Sequence, residues 1–147
     1  MSYFVVGILG LVFGSFLNVC IVRLPNKESI LVPRSHCPLC KHPIRWFDNI
    51  PLVSYLFLRG RCRDCQARIS PRYAVVEALT ALLLMATFRR YGLSPEFVKY
   101  SALVMMLIVL IFTDLRQRRI PHAVTVFGIS LGLALSFFTQ VDNRPVE

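Results

Sequence analysis

Long uncharged apolar stretches dominate the pattern of this chain and predict membrane-spanning helices. Residues 3–22 carry no charge and are long enough to cross the hydrocarbon core of a bilayer. Residues 97–113 carry a single lysine near one end, which can extend its amine to the membrane surface. Residues 123–141 are again uncharged, and residues 73–88 form a shorter stretch that contains one acid. The pattern therefore predicts about four spans, the second of them only just long enough.

Composition and charge strengthen this prediction and add an orientation. Of the 147 residues 55% are hydrophobic, more than a soluble domain of this size needs. The net charge is +9, and residues 23–72 hold ten of the 17 lysines and arginines. Residues 116–119 add three more arginines in the connection after the third span. Because cytoplasmic loops of membrane proteins are enriched in Lys and Arg, both connections are predicted to be cytoplasmic, and the charge does not indicate nucleic-acid binding.

Small and polar residues inside the spans have two interpretations. Gly10 and Gly14 are four residues apart in the first span, and Gly128 and Gly132 repeat the spacing in the fourth. Such spacing lets two helices approach closely in lipid, but glycine is also common in membrane helices generally. Asn18 is expected to face protein or water. The sequence therefore leaves open whether the glycines mark a tightly packed bundle.

The basic connection after the first span contains two Cys-x-x-Cys pairs, Cys37 with Cys40 and Cys62 with Cys65. Four thiolates in two pairs can close a tetrahedral zinc shell, and closed shells of this kind are structural. The alternatives are two disulfides or unrelated thiols, but disulfides need an oxidising compartment. A cytoplasmic loop therefore favours zinc, and the fifth cysteine, in the first span, is interpreted as a small buried apolar residue.

Residues 44–58, between the two cysteine pairs, are too apolar for a free loop. This stretch contains the only tryptophan of the chain. It could pack on the cysteine pairs, or it could lie at the membrane surface, where aromatic residues are enriched. The sequence does not choose between these two positions.

Two carboxylates associated with the spans are candidates for chemistry. Asp114 follows the third span, where a carboxylate could meet a substrate at the membrane surface, but it could equally be a surface acid paired with nearby arginines. Glu77 lies about one turn inside the second span, and acids within membrane segments are functional candidates by default. Its structural alternative is a polar anchor that pairs with Arg72 or faces the bundle interior. Aspartyl hydrolysis needs two neighbouring carboxylates, and no second aspartate is evident within the spans.

A set of short motifs extends across nearly the whole chain. These motifs are Gly14-Ser15-Phe16-Leu17-Asn18-Val19 with Arg23-Leu24-Pro25, Cys37-Pro38-Leu39-Cys40, Asp48-Asn49-Ile50-Pro51, Ser54-Tyr55-Leu56, Leu58-Arg59-Gly60-Arg61-Cys62 with Cys65, Ile69-Ser70-Pro71-Arg72-Tyr73 with Glu77, and Asp114-Leu115 followed by Ile120-Pro121. The set resembles the N-terminal part of the type IV prepilin peptidases. Several of these motifs would be weak alone. Together they are specific.

The resemblance implies a membrane aspartyl protease of the bacterial inner membrane that serves type IV pilus and type II secretion systems. Such enzymes cleave prepilins or pseudopilins after a basic leader on the cytoplasmic side, and methylate the new N-terminus with S-adenosylmethionine. It implies that Asp114 is one of two catalytic aspartates and that Cys37, Cys40, Cys62 and Cys65 hold structural zinc. The leader's positive charge is expected to meet Glu28, Asp48 and Asp64 of the loop, or lipid headgroups.

The chain departs from the family pattern in one respect. The family's second aspartate lies in a Gly-x-Gly-Asp motif, which does not occur in these 147 residues. We therefore expect a truncated form that is inactive alone, unless a second copy or a C-terminal segment supplies the second aspartate. The S-adenosylmethionine site has no recognisable signature here.

The expected architecture is an all-α polytopic membrane protein with a small cytoplasmic zinc domain between helices 1 and 2. Residues 1–24 form the first membrane helix, residues 25–72 form the zinc domain, here called the metal loop, and residues 73–147 form helices 2 to 4. One alternative function is a non-catalytic membrane module whose metal loop recruits a pilus or secretion partner. A weaker alternative is a redox protein that uses the Cys-x-x-Cys pairs, which one zinc per chain and unreactive thiols would exclude.

Overall fold

The computed structural model describes residues 2–32, 35–37, 39–117, 125–126, 128–130 and 132–134, and within these it is helical. The helices are α1 (Tyr3–Arg23), α2 (Val53–Phe57), α3 (Arg72–Tyr91) and α4 (Pro95–Gln117), with 3₁₀ turns at Leu24–Asn26 and Trp46–Asn49. The described part of the metal loop has two isolated antiparallel bridges, His36 with Pro43 and Arg61 with Arg68. The three long helices therefore form a bundle, and the metal loop connects the first two of them.

Helix α1 packs along α3 through its small residues. A Cβ atom added to Gly10 would lie 2.5 Å from the Cα of Ala81, and one added to Gly14 would lie 2.6 Å from the Cα of Glu77. Both distances are shorter than van der Waals contact, so only glycine allows the two backbones to approach this closely. This confirms the interpretation of Gly10 and Gly14 as contact residues of a tightly packed bundle.

The apolar core lies where α1, α3 and α4 meet near the metal-loop end of α1. It comprises Leu17, Cys20, Ile21, Val76, Ile108 and Val109. The prediction that Cys20 is a small buried apolar residue is confirmed, since its side chain is 7% exposed. The buried core residues therefore all lie on the three long helices, and the partly buried Ile30 of the metal loop packs against them.

Two of the described helical segments are long and apolar enough to cross a membrane. They are Tyr3–Asn26 and Pro95–Arg116, with mean hydropathies of 2.4 and 1.9. Helix α3 does not reach the same hydropathy, because it contains Glu77 and ends with two arginines. The fourth predicted span, residues 123–141, lies largely outside the described residues. A membrane protein is therefore supported by two spans, and the number of four and the orientation stay predictions.

Candidate functional site

The first cysteine pair lies in a tight hairpin turn. The backbone N–H of Cys37 donates to the carbonyl of His42 at 3.0 Å, and the N–H of Lys41 donates to the carbonyl of Cys37 at 3.0 Å. Lys41 closes the turn with a φ of 58°, in the left-handed region that side chains normally avoid. The turn places the two thiols of the pair within 4.8 Å of each other.

The second cysteine pair repeats the same backbone geometry. The N–H of Cys62 donates to the carbonyl of Ala67 at 2.8 Å, and the N–H of Gln66 donates to the carbonyl of Cys62 at 3.0 Å. Gln66 has a φ of 56° at the position that corresponds to Lys41 in the first turn. The two Cys-x-x-Cys segments are therefore two copies of one structural unit, which we call the two knuckles.

The two knuckles bring their four sulfur atoms together. The Sγ atoms of Cys37, Cys40, Cys62 and Cys65 lie within 4.8 Å of one another, with 3.7 Å between Cys37 and Cys65 and 4.0 Å between Cys40 and Cys62. A tetrahedral zinc shell with bonds of about 2.3 Å has sulfur–sulfur edges of about 3.8 Å. A disulfide would need about 2.05 Å, and all four cysteines are free. The cluster could therefore hold a metal ion, and thiolate donors suit zinc.

The two thiols of the first pair interact closely and differ in pKa. A backbone hydrogen bond from Cys40 is the largest of several interactions that lower the pKa of Cys37 to about 6. A backbone hydrogen bond from His42 lowers the pKa of Cys40. Desolvation and the neighbouring sulfurs outweigh that bond and raise the pKa of Cys40 to about 12. Four thiolates placed this close together need a positive ion to balance their charge.

A salt bridge fixes the second knuckle to the apolar stretch before it. Arg63 donates to both carboxylate oxygens of Asp48, with its Nε at 2.9 Å from Oδ2 and a terminal nitrogen at 2.6 Å from Oδ1. The guanidinium groups of Arg63 and Arg45 also lie 5.5 and 5.9 Å from the ring centre of Phe47. The hydrogen bonds from Arg63 lower the pKa of Asp48. Asp48 is therefore engaged within the metal loop.

Glu77 connects the metal loop to the helices. Its carboxylate is buried, accepts a hydrogen bond from the backbone N–H of Leu52 at 2.9 Å and is also hydrogen-bonded by Ser15 of α1. Leu52 has a φ of 58°, an uncommon value for a large side chain, directly before α2. Of the two structural alternatives for Glu77, the one that faces the bundle interior is confirmed. Its bond to the metal loop was missed, because no local sequence signal links residues 52 and 77.

Asn18 forms a second polar link close to Glu77. Its side-chain nitrogen donates to the carbonyl of Tyr73 at 3.0 Å, and the side chain is 4% exposed. This confirms that Asn18 faces protein. It holds the first turn of α3 against α1, near the metal loop.

A cavity of about 600 Å³ lies between the metal loop and the helices. Asn18 and Glu77 line it from the helices, and so do Arg23, Arg72 and Arg116 at the ends of α1, α3 and α4. Its volume is in the range of small-molecule sites. The three arginines make its helix side basic.

Asp114 occupies a different environment from Glu77. It is exposed and is not among the residues that line the cavity, whereas the preceding Thr113 is fully buried. Leu107 and Ile111 precede Asp114 by about two turns and one turn on the same face of α4, and they are 44% and 54% exposed. The structure therefore does not join the two acids in one site. The Ile120-Pro121 part of the Asp114 motif lies outside the described residues.

Comparisons with known proteins agree with these features. The bacterial peptidase A24 N-terminal domain family matches residues 8–91, which contain α1, the metal loop and α3. A prepilin leader peptidase/N-methyltransferase of Myxococcus xanthus is 50% identical over 92% of the chain, and proteins of the same name from Pseudomonas putida and Bacillus subtilis are 38% and 34% identical over 89% and 92%.

The matched relatives are longer than this chain. The chain spans 40%, 53% and 55% of the Myxococcus, Pseudomonas and Bacillus proteins. No solved structure matches it. Because the family match covers more than half of its 147 residues, the chain belongs to the bacterial peptidase A24 N-terminal domain family.

Proposed function

We propose that this chain provides the N-terminal part of a prepilin leader peptidase and N-methyltransferase in a bacterial inner membrane. Family membership and the names of relatives at 34–50% identity support the proposal. α1, α3, α4 and residues 123–141 would span the membrane, and the metal loop would lie in the cytoplasm, where the arginine-rich connections are favoured. The substrates would be prepilins or pseudopilins of pilus and secretion systems.

The metal loop would bind a structural zinc ion through its four cysteines. The support is the sulfur geometry, in which the 3.7 and 4.0 Å separations lie close to the edge of a zinc–thiolate tetrahedron. Since the four cysteines complete the shell, no position is left for a substrate on the metal. Zinc would crosslink the two knuckles, and the hydrolytic chemistry would belong to carboxylates.

The observation that carries the catalytic proposal is the exposure of Asp114 at the end of an apolar face of α4. A further helix packed on Leu107 and Ile111 could bring a second aspartate beside Asp114. Two neighbouring carboxylates share one proton, because both cannot easily carry a charge. The ionised member would accept a proton from water as the water attacks the scissile carbonyl, and the protonated member would act as the acid.

The second aspartate would come from another segment or from a second chain. Glu77 is a poor candidate, since its carboxylate is already held by Leu52 and Ser15. A basic substrate leader would meet the exposed acids Glu28 and Asp64, or lipid headgroups. Asp48 contributes less than the sequence suggests, because Arg63 already neutralises it.

Methylation of the new N-terminus would use S-adenosylmethionine as the methyl donor. The described residues enclose a cavity of suitable size, about 600 Å³, between the metal loop and the helices. We assign no donor-binding residues, because no motif or contact in the described residues identifies the donor.

The catalytic role of Asp114 can be tested in a chimera in which this chain replaces the matching region of a longer relative. We expect the chimera to cleave a prepilin reconstituted in liposomes, and we expect Asp114→Asn to reduce the rate by about 10²–10⁴-fold or more, as for loss of an acid–base group. Glu96→Gln, an exposed acid at the opposite end of α4, is the matched control and should leave the rate unchanged.

The same assay distinguishes an enzyme from a binding module. If Asp114→Asn cleaves at the rate of the parent chimera, Asp114 is a structural acid and the catalytic proposal fails. A chimera that folds and binds zinc but does not cleave, with or without the substitution, would instead favour a metal loop that recruits a partner.

A further inference from the structure

The distribution of apolar and polar side chains on α2 is the reverse of that on a surface helix of a water-soluble domain. Val53, Leu56 and Phe57 follow the i, i+3, i+4 spacing of one helix face, and they are 45%, 72% and 84% exposed. Ile50, one turn earlier, continues this face and is 43% exposed. The polar Ser54 is buried instead, and its hydroxyl donates to a backbone carbonyl of the metal loop at 2.7 Å. The helix thus turns its apolar side chains outward.

The position of α2 along the bundle explains this inversion. The N–H of Leu52, directly before α2, bonds to Glu77, which lies five residues and about 7.5 Å inside α3 from its start at Arg72. Glu77 also contacts Ser15, eight residues and about 12 Å before the end of α1 at Arg23. α2 therefore begins level with the interior of the helices and not beyond their ends.

The backbone of this segment is suited to an environment without water. Amide groups that lack a partner are costly in lipid, so an inserted turn must satisfy its own donors. Within the segment the donors of Leu52, Val53, Ser54 and Leu56 have acceptors in the protein, and so do the donors of the four residues 58–61. The exposed cations Arg59 and Arg61 follow directly, at the position where an inserted segment would return to the headgroups.

We propose that Ile50–Phe57 is a short wedge that inserts into the lipid bilayer beside α1 and α3. The apolar face of α2 would contact acyl chains near the headgroup boundary, the usual depth of interfacial helices. Glu77 and Ser15 would fix the depth of the wedge through Leu52. The metal loop would thereby be held against the membrane surface at two places, the helix ends and this wedge. The proposal depends on α1 lying in the membrane and not on peptidase activity.

The test uses tryptophan as a depth probe in the full chain. The single tryptophan is removed by Trp46→Phe, and Phe57→Trp is added. The protein is reconstituted in phosphatidylcholine–phosphatidylglycerol vesicles in which the acyl chains of the phosphatidylcholine are brominated near the headgroup. We expect loss of fluorescence with brominated lipid and little loss with acrylamide, a quencher dissolved in the water.

Two control positions make the result decisive. Leu39→Trp probes a leucine of the first knuckle that is 74% exposed, close to the exposure of the wedge residues, and it should be quenched by acrylamide. Phe16→Trp probes an exposed position of α1 two turns before its end at Arg23, near the depth of the brominated carbons, and should be quenched by lipid.

Each contrary result has a defined meaning. Quenching of the Phe57→Trp probe by acrylamide would place α2 in water and overturn the proposal. Protection from both quenchers would mean that another protein segment or a second chain covers α2, which also overturns it. If the α1 probe is not quenched by lipid, the membrane assignment of α1 fails, and the wedge fails with it.

Discussion

The helix pair α1–α3 and the metal loop are held together by different forces. The helices meet through backbone contact at Gly10 and Gly14, with a buried apolar core beside it. The metal loop contributes one cysteine, Cys37, to the buried apolar residues of the described chain, and its knuckles converge on four sulfurs. Shape therefore organises the helix pair, whereas the two knuckles of the loop are organised around four clustered cysteines.

The helix pair and the metal loop also differ in backbone conformation. The non-glycine residues with positive φ in the described chain all lie in the metal loop, at Lys27, Lys41, Leu52, Arg59 and Gln66. Each costs on the order of 1 kcal/mol or more, because the left-handed region crowds the Cβ atom. Regular helices avoid this cost. A loop with many such turns and little apolar core needs another source of stability, and the cysteine cluster can supply it.

Loss of metal binding should have the largest effect on stability, and it should destabilise the metal loop alone. We expect Cys40→Ser to abolish stoichiometric zinc binding and to open the loop to trypsin, since structural zinc contributes about 10–16 kcal/mol to folding in small zinc domains. Metal analysis and limited proteolysis measure both effects. Helical circular dichroism should largely persist, because the buried core residues all lie on the three long helices.

The fifth cysteine provides a matched control for this experiment. Cys20→Ser alters a buried thiol outside the cluster and should leave one zinc per chain. If both variants retain zinc, the four-cysteine site is wrong. If Cys40→Ser also melts the helices, the two regions are not independent.

A methyl group added at the contact between α1 and α3 should have the next largest effect on stability, and it should act on the helix pair and not on the metal loop. In Gly14→Ala the new Cβ would lie 2.6 Å from the Cα of Glu77, and backbone cannot easily move away. We expect a loss of about 1–3 kcal/mol, as for overpacked cores, which exceeds the gain of about 1 kcal/mol from alanine's helix propensity. Thermal unfolding in detergent, followed by circular dichroism, measures the difference.

Gly7→Ala separates close contact from the general effect of glycine. The new Cβ there would lie 3.4 Å from the flexible sulfur of Met85, which can move. This variant should be neutral or slightly more stable. Equal stability of the Gly7 and Gly14 variants would show that the backbones of α1 and α3 are farther apart than described.

The Asp48–Arg63 salt bridge should have the smallest effect, because Arg63 is 46% exposed and water screens the pair. We expect Asp48→Asn to destabilise the metal loop by about 0–1 kcal/mol at neutral pH. Arg63 lowers the pKa of Asp48 in the folded protein, so the contribution is present above the unfolded pKa of about 3.9. It is lost as the pH falls through the lower folded pKa.

The pH dependence is read from the difference between the parent protein and the variant, because zinc release at low pH affects both alike. Unfolding of the loop in denaturant, followed by the fluorescence of the single tryptophan Trp46, should differ at pH 7 and converge below about pH 4. Asp64→Asn, an exposed neighbour, is the control. A difference that grows as the pH falls contradicts the assigned pair.

Local features of the metal centre were predictable from the sequence. Each Cys-x-x-Cys turn is closed by hydrogen bonds within six residues, so spacing alone predicted which thiols belong together. The apolar runs predicted α1 and α4, because a membrane helix forms its backbone hydrogen bonds within its own segment. The spacing of Gly10 and Gly14 permitted a close contact but did not identify α3 as the partner.

The roles of the acids and of the apolar stretch were decided by tertiary structure. Glu77 interrupts an apolar run, and Asp114 follows one. Glu77 is buried and bonded to Leu52, whereas Asp114 is exposed. Residues 44–58 had two possible positions, and the outward face of α2 depends on the bond between residues 52 and 77. The sequence by itself determined the two Cys-x-x-Cys pairs and the apolar helices, because short-range bonds and composition specify them. Only the fold decided which acid is engaged and which face is outward, because those depend on contacts between residues far apart in the chain.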